Sequence, residues 1–393
     1  MHIHTVKAGD TIFKIARRYS ASPMKIIENN GLLNPDRLAV GEKLLILNPT
    51  RTYTVRGGDT LMRIADRFSV SEDDIYTKNP YLFGTDKLYP GQLLAIKYDT
   101  PAYGMAAANG YYSKGTGNER LSMLLPYLSY LTVPLGKWDG KSIEILLDDR
   151  YVLEKAKEKG VIPLMRVYDA TDGEKLNSVM ADNILLLLKT RGYGGAVIAS
   201  PGGIKKNKNE TTEFLRELKK LLSENDLYLF SEIDGNSPTD DLGELLNASD
   251  GNFVMYEKSH LTDIPSFKEG EERLMRELAE NAEGRKLYIE IPTSASVNDE
   301  ITGKGEAESL ARGMGREILH DGEKLISYFD VNKYKGGKKE TVPVRYESLE
   351  NVKAKLGLVG ELGFMGITFD IESIPNEYLM LFEYMFTRPK MQM

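Results

Sequence analysis

Apolar positions fall into two textures along this chain. In the first hundred residues a short alternating stretch, Thr5-Val6-Lys7, gives way to helical spacing at Ile12, Ile15, Ala16 and Tyr19. The same order returns as Thr54-Val55-Arg56, then Leu61, Ile64, Ala65 and Phe68, at a constant offset of 49. Near the end of each copy Leu38-Ala39-Val40-Gly41-Glu42-Lys43-Leu44-Leu45 matches Leu88-Tyr89-Pro90-Gly91-Gln92-Leu93-Leu94-Ala95 at an offset of 50, so the second copy holds one inserted residue. Each copy therefore predicts strand, helix, helix, strand. Asp10 and Asp59 stand where a helix N-cap is expected. Second helices are expected over Pro23–Asn30 and Ser71–Asn79, and closing strands over Lys43–Leu47 and Leu93–Lys97.

Beyond Asp99-Thr100-Pro101 short apolar runs alternate with amphipathic stretches. Strands are expected at Ala102–Ala106, Leu128–Val133, Val161–Val167, Gly195–Ala199, Leu227–Glu232, Asn252–Tyr256, Lys286–Ile291 and Met365–Phe369. Helices fall between them, among them Leu176–Thr190, Glu210–Ser223, Glu271–Asn281 and Ser348–Glu361. Eight strand–helix units predict the α/β class and a (β/α)8 TIM barrel, with a doubly wound sheet as the alternative. The segment 293–346 is too long for a plain crossover. It reads as a small α+β insertion, with a helix at Glu306–His320 and strands at Leu325–Phe329 and Val342–Tyr346. The expected domains are 1–49, 50–98 and 99–393.

Composition narrows the chemistry. The absence of cysteine excludes disulfides and thiolate catalysis, and the four histidines, His2, His4, His260 and His320, are too scattered to suggest a metal site. No metal or other cofactor is called for. Residues 1–100 carry 14 Lys and Arg against 11 Asp and Glu, whereas the net charge of the whole chain is −7. No basic face argues for nucleic acid. No apolar run is long enough to span a membrane, and the opening Met1-His2-Ile3-His4-Thr5-Val6-Lys7 has no apolar signal core, so a chain made in the cytoplasm is expected.

The duplicated V-x-x-G-D-T start, the Ile-Ala-aromatic step and the late L-x-x-G turn resemble the LysM family. That resemblance implies two βααβ LysM domains, each with a shallow groove for N-acetylglucosamine residues of peptidoglycan or chitin-like polymers. The groove would use Gly9, Asp10, Thr11 and Ile12 with Asn34, Pro35 and Leu38. In the second copy it would use Gly58, Asp59, Thr60 and Leu61 with Gly84, Thr85 and Leu88.

The later part is similar to the family 18 glycoside hydrolases, and more closely to the LysM-plus-family-18 N-acetylglucosaminidases of bacterial spores. The likeness is carried by Leu125-Pro126-Tyr127-Leu128-Ser129-Tyr130-Leu131, by Asp182 through Leu188, and by Ser348 through Phe369. It implies synthesis in the mother cell and a place in the spore coat or cortex. The family pattern D-G-x-x-x-D-x-E ends the fourth strand with an orienting Asp and an acid Glu. Ala199 and Pro201 occupy those positions, so the resemblance implies a barrel without its general acid. The last strand ends in Asp370 where the family has a sugar-flooring Trp, and the chain's one Trp is Trp138. A residual barrel site would comprise Tyr256, Glu257, Glu232 and Asp370. If Asp234 and Glu372 joined Glu232, Glu257 and Asp370 at one rim, a cation site or a relocated acid would follow, unless Arg166 paired with one of them. Three functions follow: a glycan-binding spore or wall protein with an inactive barrel, an N-acetylglucosaminidase with a relocated acid, or a scaffold that binds spore coat proteins.

Overall fold

The structure, a computed structural model, describes residues 1–82, 87–99, 101–171, 173–199, 207–235, 242–256, 265–282, 286–297, 300–335 and 338–389. Repeat 1 is built from β1 (His2–Thr5), α1 (Ile12–Tyr19), α2 (Pro23–Asn29) and β2 (Lys43–Ile46). Repeat 2 is built from β3 (Arg51–Thr54), α3 (Leu61–Phe68), α4 (Glu72–Thr77) and β4 (Leu93–Lys97). In each repeat the outer strands pair antiparallel, and the helices bury Ile12, Ile15 and Ala16, or Leu61, Ile64 and Ala65, beneath them.

The helix caps differ from expectation. Thr11 and Thr60 are the N-caps, their hydroxyls accepting from the Lys14 and Arg63 amides at 3.3 Å. Both Asp-Thr pairs offer two good caps in a row. The carboxylate is drawn one turn back by a second donor, described below, and leaves the cap to threonine.

Eight parallel strands close a ring: β5 (Ala107–Tyr111), β6 (Tyr130–Trp138), which also carries a short antiparallel strand β7 (Ile143–Ile145), β8 (Ile162–Asp169), β9 (Gly195–Ala199), β10 (Tyr228–Asp234), β11 (Gly251–Met255), β12 (Leu287–Glu290) and, after the insertion, β18 (Gly366–Asp370). β18 pairs with β5 and β5 with β6, so the sheet is a barrel and the doubly wound alternative falls away. The first strand lies at Ala107–Tyr111, not Ala102–Ala106. Its Ala-Ala-Asn-Gly run lacks the branched and aromatic residues that mark strands. It is small because the barrel crowds it: a Cβ on Gly110 would lie 2.4 Å from Ile371 Cγ2.

Inward side chains fill the barrel's lower half with aromatics. Phe230 and Phe253 stack at 5.0 Å, with Tyr130 and Tyr288 edge-on around them. The barrel is thus a packed core with any chemistry at its C-terminal rim.

The insertion holds β13 (Ser294–Val297), β14 (Glu300–Gly303), β15 (Leu319–Asp321), β16 (Ile326–Lys335) and β17 (Lys338–Glu347) in one antiparallel sheet. Its helix spans Lys304–Met314, shorter than expected. Gly315 in the left-handed region ends it and frees His320 to join β15.

The repeats are not loose beads. Leu45, Leu47, Ala95 and Tyr98 belong to the same apolar cluster as the barrel's outer layer. Lys25 reaches from repeat 1 to Asn79 Oδ1 of repeat 2 at 2.7 Å and pairs with Glu28 at 2.9 Å. Burial pushes the Glu28 carboxyl up to about 7 despite Lys25. A row of ions then ties repeat 1 to the insertion and to the last barrel helix, Asn376–Met385. Glu377 meets Lys304 at 2.5 Å, Lys304 meets Glu308 at 2.9 Å, and Arg312 meets Glu308 at 3.7 Å and Glu42 at 2.8 Å.

Candidate functional site

Two regions matter: the loop before the first helix of each repeat, and the barrel rim. In repeat 1 the loop turns at Gly9 with φ +80°, and in repeat 2 at Gly58 with φ +84°, a backbone that glycine adopts without strain. Asp10 Oδ2 accepts the Lys7 amide at 2.9 Å and lies 2.9 Å from His4 Nε2. Asp59 Oδ2 accepts the Arg56 amide and the Tyr53 hydroxyl, both at 2.7 Å. His4 and Tyr53 are equivalent positions, so two different side chains give one brace. Burial works to raise the Asp10 carboxyl, but the Lys7 amide, His4 and Arg18 hold it below its ordinary value. The Arg56 amide and Tyr53 do the same for Asp59. Across each loop a basic side chain ties down the glycine carbonyl, Lys14 to Gly9 at 2.7 Å and Arg63 to Gly58 at 3.3 Å.

Of the expected groove residues, Gly9, Thr11, Gly58, Thr60 and Asn34 are exposed, Asp10, Asp59, Pro35, Leu38 and Leu88 are half-buried, and Ile12 and Leu61 are buried within the repeat cores. The exposed apolar groups beside them are Phe13, Leu33 and Met62. Gly84 and Thr85 lie outside the described residues.

At the barrel rim Ala199 is fully buried at the end of β9, the fourth parallel strand, and pairs with Tyr168 of β8. Pro201 and Glu257 lie outside the described residues. On the neighbouring strand Glu232 points inward and is 5% exposed. Arg166 grips it with two parallel bonds, Nε to Oε1 at 2.6 Å and Nη2 to Oε2 at 2.8 Å, and the Tyr111 hydroxyl donates to Oε1 at 2.8 Å. Burial works against the Arg166 charge and Glu232 more than offsets it, so the guanidinium stays charged. A carboxylate held this way accepts three hydrogen bonds and is taken up by its partners.

Two of the other acidic groups are engaged elsewhere. Asp370 pairs through its backbone with Tyr111, and its carboxylate accepts the Glu372 amide at 2.8 Å. Glu372 takes the Ser113 hydroxyl. Asp370 and Glu372 are thus each taken up by a nearby donor. Among the described residues, no three acidic or histidine groups come together as a metal would need.

Tyr256 follows β11, and its amide donates to Glu290 at 2.6 Å. Its ring lies under the Lys355 ammonium at 5.0 Å, and its hydroxyl is buried. Lys355 is itself fully buried between Glu347 at 2.8 Å and Glu271 at 2.9 Å. Burial raises the Glu347 carboxyl to about 8 against the pull of Lys355. Tyr111, Glu290 and Lys355 were not foreseen. Tyr111 lay beyond the strand expected at Ala102–Ala106, and the other two gain meaning only through partners far away in sequence.

The LysM domain family matches residues 4–47 and 53–97. A protein of Bacillus subtilis named as a sporulation-specific glycosylase, YdhD, is 30% identical over 244 residues, a stretch that spans 56% of this chain and 56% of that protein. The spore cortex-lytic enzyme SleL of Bacillus megaterium superimposes with a TM-score of 0.76 at 21% identity, covering 99% of both chains. A chitinase of Chromobacterium violaceum superimposes with a TM-score of 0.62 at 15% identity, covering 71% of this chain and 98% of that one. Among the described residues no helix is long and apolar enough to cross a membrane. The chain thus carries two LysM domains ahead of a barrel with the fold of the family 18 glycoside hydrolases, in the arrangement of the spore cortex-lytic enzyme it resembles.

Proposed function

We propose that this protein holds N-acetylglucosamine-containing peptidoglycan through its LysM repeats, about residues 1–49 and 50–98, and that its barrel, 99–393, does not cleave the strand it holds. The groove chemistry suits the acetamide. Exposed loop amides and the Thr11 and Thr60 hydroxyls offer polar partners, and Phe13, Leu33 and Met62 offer apolar contact to a sugar face. Two grooves on one polymer reinforce each other by effective concentration.

The observation that carries the inactive barrel is Ala199 beside the locked Glu232. Family 18 chemistry uses the sugar's own acetamide as nucleophile and needs a carboxylic acid to protonate the leaving oxygen. A general acid contributes about 10²–10⁴-fold. At the fourth strand the position of the orienting carboxylate is a methyl group, and the inward carboxylate of the neighbouring strand, Glu232, is spent on Arg166 and Tyr111. A second reading, an active N-acetylglucosaminidase, draws its support from the relatives named for glycosylase and cortex-lytic activity. A spore cortex location has the same support.

Incubating the full chain at high concentration with purified cortex peptidoglycan separates the two readings. The expected result is co-sedimentation with the sacculi and no release of reducing ends above buffer. Steady release of N-acetylglucosamine-terminated fragments would establish the enzyme instead.

A further inference from the structure

The two repeats share one closing turn, and the molecule treats its copies differently. In repeat 1 the Ala39 amide donates to Glu42 Oε2 at 3.0 Å, and in repeat 2 the Tyr89 amide donates to Gln92 Oε1 at 2.9 Å. The Gly41 amide donates to the Val6 carbonyl at 2.8 Å, and the Gly91 amide to the Val55 carbonyl at 2.9 Å. Both glycines are left-handed, at φ +87° and +90°. The local geometry is the same, so the difference lies in what covers it.

In repeat 1 the barrel's insertion covers the turn. Ala39 is 4% exposed and belongs to the insertion's apolar core. The Ile318 amide donates to the Val40 carbonyl at 2.8 Å, His320 Nε2 lies 2.6 Å from the Gly41 carbonyl, and Arg312 grips Glu42. In repeat 2 Tyr89 is 66% exposed, and a Cβ on Gly91 would meet nothing within 4 Å.

We propose that Tyr89 is a sugar-stacking platform that extends the groove of repeat 2, so that glycan capture leans on repeat 2 while the turn of repeat 1 is committed to holding the barrel. This rests on the reading of the LysM grooves given above. Tyr89 directly follows Leu88 of the groove wall, and its backbone is fixed by two hydrogen bonds within the repeat, its amide to Gln92 Oε1 and the Gln92 amide to its carbonyl. An aromatic ring on a rigid turn presents a flat apolar face at little entropic cost. The C–H face of a pyranose is the ligand chemistry that fits it. A folded protein partner needs a far larger patch, on the order of 800 Å² per side.

Binding of N-acetylglucosamine tetramer to the full chain, followed by calorimetry, tests this together with sedimentation on sacculi. Tyr89→Ala should weaken tetramer binding about ten-fold, the scale of one aromatic contact. Tyr89→Trp should keep the affinity, and Tyr151→Ala, an exposed aromatic on the barrel, should change nothing. The melting temperature of Tyr89→Ala should match the parent, because the ring packs little surface. Parent-like affinity in Tyr89→Ala would overturn the platform and leave the grooves standing. A parent chain with no affinity for tetramer or sacculi would overturn the grooves, and the platform with them.

Discussion

Arg166 and Glu232 face each other across the barrel mouth, and each is the other's solvent. Glu232 is 5% exposed and Arg166 about a quarter exposed, so the pair is partly dry. Removing one partner strands the other. Arg166→Met leaves Glu232 buried with only the Tyr111 hydroxyl, and such losses run to about 3–5 kcal/mol when both groups are dry. With Arg166 partly wet, the lower end is expected, about 3 kcal/mol in chemical denaturation. The double variant Arg166→Met with Glu232→Leu should recover most of it, because two apolar groups in place of an ion pair are close to neutral. Equal losses in the single and double variants would mean that the pair does not couple. The sequence placed Arg166 near the end of the third strand and raised this pairing as one outcome. It left open which carboxylate Arg166 would take, since strand order alone does not set the distance across a barrel.

Elements repeated within one chain supply their own control, and Gly41 and Gly91 are such a pair. Both sit at positive φ, so an alanine at either costs about 1–2 kcal/mol of backbone strain. Only at Gly41 would the new Cβ collide, 1.8 Å from the Ile318 carbonyl oxygen. Gly41→Ala must push the insertion off repeat 1, breaking the Ile318–Val40 hydrogen bond and opening the Arg312–Glu42 pair. The expected outcome is a melting temperature clearly lower for Gly41→Ala than for Gly91→Ala, and matching values would show that the turn bears no weight. The repeats themselves were legible because the second copy confirms the spacing of the first. The caps were misplaced by one residue, since Asp and Thr compete on equal local terms and only His4 and Tyr53 decide between them. The first barrel strand was displaced because Ala107, Ala108, Asn109 and Gly110 carry no strand signal of their own. The docking of one turn and the freedom of its twin left no mark in the sequence, where Ala39 and Tyr89 are both ordinary turn neighbours.

At the scale of the whole molecule the head and barrel share a core, and this changes what a truncation means. Leu45, Leu47, Ala95 and Tyr98 are buried at 4% exposure or less within the barrel's own cluster. Cutting away residues 1–98 uncovers that apolar face on the helix Asn376–Met385 and its neighbours. It also leaves Arg312 without Glu42, while Glu308 and Glu377 still share the buried Lys304. Uncovered apolar surface costs about 25 cal/mol per Å², and exposed patches of this kind associate. The isolated 99–393 fragment should therefore melt well below the full chain and aggregate on concentration, whereas the full chain should unfold in one calorimetric transition. A fragment as stable and monomeric as its parent, with a full chain that melts in separate steps, would mean that the repeats are tethered rather than welded. The weld bears on function directly. If the repeats hold peptidoglycan as proposed, the shared core attaches that strand to the barrel rigidly and not through a flexible tether. Under the proposed function, a barrel with Ala199 at the orienting-carboxylate position adds stable anchorage to that hold and no cleavage.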